Sequence, residues 1–285
     1  MKRTASIVMV VMLGTAALSF AQSNTKPAGQ NAPATQTPPA AGQTPATAAP
    51  QGKRAPAAKT QPEFEDYKAA MALTDPAAQE KAAGDFATKY PDSELRGILY
   101  KQGPMHSYQR VGNGAKTMEM AQKVLSIDAD DPEALVLVAQ TIVQTTHDTD
   151  LDRDQKMAEA KKSAERALVT VDTDIPNTDT PERIAAFKGL VRSDAYDILG
   201  KMALSNKQYT EAETNLRKSV EAYPEPDPST LVNLAVALDM QSKYPEALKV
   251  ANQAVDLSKE DTPVGKAARS ERDRLTQMNG GAAPK

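Results

Sequence analysis

The chain has 285 residues, with 34 Lys plus Arg against 37 Asp plus Glu, two His, no Cys and no Trp. The length fits one or two domains, and the missing cysteine excludes disulfide frameworks, zinc–thiolate and iron–sulfur sites and any cysteine nucleophile. A net charge of −3 provides no basic footprint for nucleic acid, and two histidines leave little room for acid–base or metal chemistry.

Lys2 and Arg3 precede an apolar run over residues 7–18, and Ser19 and Ala21 then place small residues at the −3 and −1 positions of a cleavage site. The pattern predicts a signal peptide over 1–21, cut after Ala21, and an exported chain, periplasmic or secreted. A spanning helix needs about 20 apolar residues, more than this run supplies, so an uncleaved anchor is the alternative. Residues 22–62 follow as a linker, with 31 of 41 positions Ala, Pro, Thr or Gln and no large apolar side chain. Such a segment cannot offset its ordering entropy and is expected to be disordered. Its charges are Lys26, Lys53, Arg54 and Lys59 with no acid. They suit a solubilising spacer, or a peripheral contact with an anionic cell envelope.

From Glu63 the apolar spacing turns helical. Residues 63–92 predict a first hairpin, with Phe64, Tyr67 and Ala70 before a turn at Asp75-Pro76, then Ala83, Phe86 and Tyr90. Residues 97–129 predict a second, turning at Gly112-Asn113-Gly114. Gly103-Pro104 falls inside its first helix, where proline removes a backbone donor and predicts a kink or break. Residues 132–172 predict a third, with Val138-Ala139 in one helix and Ala160, Ala164 and Ala167 in the next, separated by an insertion near 145–153. Thr180-Pro181-Glu182 reads as an N-cap followed by proline at the first helical position, opening an extension of the next helix.

The units at 193–226 and 228–260 align with an offset of 35 residues. Gly200 and Ala235 each stand 12 positions before Ala212 and Ala247, and Tyr209 and Tyr244 each stand three before those alanines. Small residues at both places let two helices approach closely. Leu199 and Leu234 are expected to fill the space between them, with Lys207-Gln208 and Ser242-Lys243 as connectors. A single hairpin of this kind cannot bury its apolar face and needs stacked neighbours. Thr262-Pro263 opens a last helix over about 263–278, with Val264, Ala267-Ala268, Leu275 and Met278 on its apolar side and Lys266, Arg269, Arg272 and Arg274 on the other. It is expected to cap the array.

This pattern resembles the tetratricopeptide repeat, a 34-residue helix–turn–helix unit. The resemblance implies an all-α, right-handed superhelix of four to five hairpins with a C-terminal capping helix. It also implies a protein–protein interaction scaffold that takes a peptide or partner protein in its concave groove, with no cofactor and no enzymatic activity. Carried over by register, the groove residues would be Asp194, Asp197, Lys201 and Ser205 in one unit and Ser229, Asn233, Asp239 and Met240 in the next. Ile198 is apolar where Asn233 is polar and Val236 replaces the usual lysine, so the two-carboxylate clamp of some family members is absent.

No phosphate loop, G-x-S-x-G or H-E-x-x-H motif occurs. His106 reads as a structural helix residue and His147 as a solvated loop residue. A carboxylate-based hydrolase of envelope polymer would need paired acids in a cleft. Asp148, Asp150, Asp152, Asp154 and Glu159 match positions 1, 3, 5, 7 and 12 of a calcium loop, but Arg153 stands where that loop needs glycine. A calcium- or small-ligand module at 145–159 is therefore the alternative to the scaffold. The other reading is an acidic loop in which Asp152 or Asp154 caps the next helix.

Overall fold

The computed structural model describes residues 53–176 and 178–280. The signal-peptide reading and most of the linker lie outside the described residues. Among those described, twelve α-helices and one π-helical turn form an all-α array with no strand, and no helix is long and apolar enough to cross a membrane.

The helices pair in chain order. Helices α1 (Gln61–Met71) and α2 (Pro76–Lys89) form the first hairpin. The second is α3 (Leu95–Tyr100), the π-turn Lys101–Met105 and α4 (His106–Arg110), folded back on α5 (Gly114–Ile127). Then come α6 (Pro132–Thr145) with α7 (Arg153–Thr170), α8 (Pro181–Ser205) with α9 (Tyr209–Ala222), and α10 (Pro228–Asp239) with α11 (Tyr244–Leu257). Helix α12 (Pro263–Met278) closes the series against α10 and α11. Each hairpin packs on the next, as α5 on α6, α7 on α8 and α9 on α10, which makes a helical-repeat solenoid.

One local device starts five of these helices. Asp75, Asp131, Thr180, Asp227 and Thr262 each precede proline, and each side-chain oxygen accepts a backbone N–H of the first turn. Pro104 has the expected consequence: the helix widens to a π-turn over Lys101–Met105 and continues as α4. Three of the five hairpin turns are alike. Gly112, Lys207 and Ser242 all adopt left-handed backbone with φ of 73°, 60° and 60°. The next amide in each case reaches back five residues, from Asn113 to Tyr108, Gln208 to Ala203 and Lys243 to Leu238. This is the Schellman helix stop, which favours glycine at the left-handed position.

The seams between helices are lined with alanine. Ala160, Ala164, Ala167, Ala212, Ala247, Ala251 and Ala254 are fully buried, with Leu216, Leu231, Leu238 and Leu275 filling the larger gaps. A close approach joins α8 to α9. A Cβ at Gly200 would lie 2.6 Å from Leu216 Cγ, and one at Gly189, three turns earlier on the same face, 2.6 Å from the Ala222 carbonyl oxygen.

Three expectations are corrected. Ile198, rather than the half-buried Leu199, is the buried member of the α8 pair. Ala267 is exposed while Ala268 is buried, and Arg274 turns back into the array to pair with Asp239. Residues 53–59 also pack on the helices. Arg54 pairs with Glu94 at 2.6 Å and Lys53 with Asp128 at 2.5 Å and Asp174 at 3.4 Å, so this segment follows the loops that join successive hairpins. Two of the four linker cations therefore have intramolecular partners.

Two substitutions test this packing. Gly200→Ala forces Leu216 out of its place and is expected to lower unfolding free energy by about 1–3 kcal/mol in urea titration. Ser242→Gly removes a side chain from left-handed backbone and is expected to raise it by about 0.5–1 kcal/mol. A neutral Gly200→Ala would refute the close α8–α9 contact.

Candidate binding groove

The first helices of neighbouring hairpins pack on one another, α6 on α8 and α8 on α10, and share a polar stripe. On α8, Asp194, Asp197 and Lys201 lie three and four residues apart and therefore on one face. Asp197 has both oxygens engaged: Oδ1 accepts from Thr230 Oγ1 of α10 at 2.8 Å, and Oδ2 pairs with Lys201 Nζ at 2.5 Å. The Thr230 bond turns that face of α10 toward α8. Asn233, one turn along from Thr230, is half-buried and its side chain makes no hydrogen bond. Ser229 sits one turn before Asn233, its amide donating to the Asp227 cap at 2.6 Å.

Asp194 is half-buried and makes no hydrogen bond or ion pair. Its carboxyl is pushed up to about 7, first by burial and then by the charges of Asp197, Asp227 and Glu133, which Lys201 only partly offsets. Glu133, at the start of α6, is 2% exposed. Its Oε1 lies 2.7 Å from His106 Nε2 of α4, and its Oε2 has no partner. Burial alone would raise the Glu133 carboxyl, yet His106 and Lys101 beside it hold it below the usual carboxylate range. Lys101 itself pairs with the Asp131 cap at 2.5 Å. The stripe thus runs from His106–Glu133 through Asp194 to Asp197–Lys201–Thr230 and Asp227.

The remaining register-predicted residues are placed differently. Ser205, at the far end of α8, lines an 80 Å³ cleft with Thr146, Arg153 and Met157 of the inserted loop and α7. Asp239 is taken up by Arg274 of α12 and holds the capping helix rather than facing a partner. Met240 is 53% exposed at the end of α10. Another cleft, of 420 Å³, lies between α1 and α2 beside Ala69, Leu73 and Phe86.

The acids of the insertion do not converge. Asp148 and Asp154 both bond Arg153, Asp150 and Asp152 both pair with Lys156, and Glu159 is exposed on α7. Among the described residues no three His, Cys, Asp or Glu are placed to hold a metal ion. Asp152 occupies the N-cap position of α7 without a capping bond, because its carboxylate faces Lys156 instead. His106 is buried rather than half-buried and lies against Glu133, which is not among the register-predicted residues. A signal for it exists, since Glu133 stands six residues before Ala139 as Asp194 stands six before Gly200 and Ser229 six before Ala235. The roles of Thr230 and Asp227 depend on how α8 and α10 meet and carry no comparable signal.

No family model and no curated protein matches this chain. A solved structure, the assembly chaperone of RpL4 (Acl4, residues 1–338), aligns at 16% identity and a TM-score of 0.36, covering 76% of this chain and 98% of that one.

The Asp194 carboxyl makes a signed prediction. Because its folded-state value lies above its unfolded one, the folded protein holds an extra proton between about pH 4 and 7, and stability falls as pH rises through that window. Asp194→Asn is expected to raise unfolding free energy at pH 8 by about 1–3 kcal/mol and to flatten the melting temperature between pH 4 and 7. An unchanged pH profile in the variant would show that Asp194 is solvated.

Proposed function

We propose that this chain is an exported scaffold of the tetratricopeptide-repeat kind, binding an extended peptide or partner protein along the first helices of its hairpins. The observation that carries this is the shared stripe of α8 and α10. It is held in place by the Asp197–Thr230 bond while leaving Asn233 half-buried with free donors and acceptors. Polar groups fixed on rigid helices can satisfy a peptide backbone without reorganising, which keeps the ordering cost of binding low. Asp194, Asp197, Lys201, Ser229 and Asn233 form the contact set, with Ser205 and Met240 at its margin. Asp239 drops out because Arg274 occupies it.

A photoreactive residue at position 233 tests the groove against one at exposed position 249 of α11. In the native envelope fraction the first is expected to capture a discrete partner and the second none. Asp197→Ala with Lys201→Ala should abolish that capture while leaving helicity intact. Equal capture from both positions, or capture indifferent to the double variant, would remove the groove as the binding surface.

A further inference from the structure

Repeats of a solenoid contact only their neighbours, so stability passes from one hairpin to the next and a distant hairpin is not felt directly. Residues 53–59 depart from that rule. Thr60 caps α1 through the Glu63 amide, and the Lys59 amide donates to Glu63 Oε2 at 2.7 Å, which fixes the segment to the start of the first hairpin. Ala58 packs against the core. Glu94, between α2 and α3, accepts from the Ala57 amide at 3.2 Å with one oxygen and from Arg54 at 2.6 Å with the other. Lys53 then pairs with Asp128, which follows α5, and with Asp174, which lies between α7 and α8. One short segment thereby touches the three junctions that join the first four hairpins. Pro56 within it restricts the unfolded alternatives of the chain and lowers the cost of ordering the segment.

We propose that residues 53–59 are an electrostatic strap that couples the first hairpin to the fourth, so that these hairpins open together while it is held and junction by junction once it is released. Two features point to a strap of this kind. Among the described residues, Asp128, Asp174 and Glu94 pair with no cation other than Lys53 and Arg54, whereas Glu119 and Glu165 are paired by lysines of their own helices. The strap pairs are also only part-buried, so dissolved salt weakens them while the alanine seams beneath stay closed. The tie between Lys53 and Asp174 spans 121 residues of sequence, and no nearest-neighbour contact of the array replaces it.

Hydrogen exchange of the full chain, followed by NMR, tests this at the amides of Ser93, Asp131 and Asp174. Each of these donates to a carbonyl at its own junction, on Tyr90, Asp128 and Thr170 respectively. Lys53→Ser with Arg54→Ser is expected to quicken exchange at all three by about three- to tenfold, with the amides of α10 and α11 unchanged. Sodium chloride at about 0.5 M is expected to do the same to the unsubstituted chain and to add little to the variant. Lys249→Ser with Lys266→Ser, at exposed positions of α11 and α12, makes the same change in charge and is expected to leave the three junctions as they are. Unchanged exchange in the strap variant, or an equal rise in the charge control, would overturn the proposal. A rise confined to Ser93 would also overturn it, because the segment would then tie the first hairpin only to its neighbour.

Discussion

Close approach of neighbouring helices through small side chains is the constraint on which the rest of this molecule depends. A two-helix unit rich in alanine has little apolar volume, so it gains stability only if its seams close to nearly backbone distance and if a neighbour covers its second face. Gly189 and Gly200 on α8 and the fully buried alanines of α7, α9 and α11 provide that closeness. The same closeness sets the first helices side by side, near enough for Thr230 of α10 to donate to Asp197 of α8 and for Glu133 of α6 to act on Asp194. Polar chemistry on the stripe is therefore a consequence of packing rather than a separate construction.

Two kinds of polar group emerge along the array. Some are consumed by architecture. Asp131 caps α6 and holds Lys101, Asp239 holds Arg274 of the last helix, and Glu213 accepts from Lys243 and Gln241 across the α9–α11 side. Others are left open, notably Asp194, Asn233 and one oxygen of Glu133. The contrast matters because a buried or half-buried polar group without a partner costs stability, and such groups persist most readily where binding satisfies them.

The insertion at 145–153 shows how the same residue types take another role in another setting. Its aspartates match a calcium-loop spacing, but Arg153 and Lys156 stand among them in sequence and pair with them in space. Alternating charges in a short loop neutralise one another, whereas the acids of the stripe come from different helices and meet His106, Lys101 and Lys201 only through the packing of those helices.

Much of the architecture was legible in the residues themselves. Thr180-Pro181 and Thr262-Pro263 marked two helix starts and Asp75-Pro76 a turn, and Gly112, Lys207 and Ser242 fell at turns whose backbone is the same in all three. The 35-residue offset predicted hairpins that must stack, because these signals are local or repeat at short range. Register also placed Asp194, Asp197, Lys201 and Asn233 along one stripe. Tertiary structure alone decided which of those groups stay available. Asp239 and Arg274 meet only because α12 folds back on α10, and Asp194 is crowded by Glu133 and Asp227 only because three hairpins stack in line. Sequence spacing fixes which face of a helix a residue occupies. Whether that face meets an opposite charge, a like charge or open solvent depends on residues 30 to 60 positions away, brought together by the packing of alanine seams.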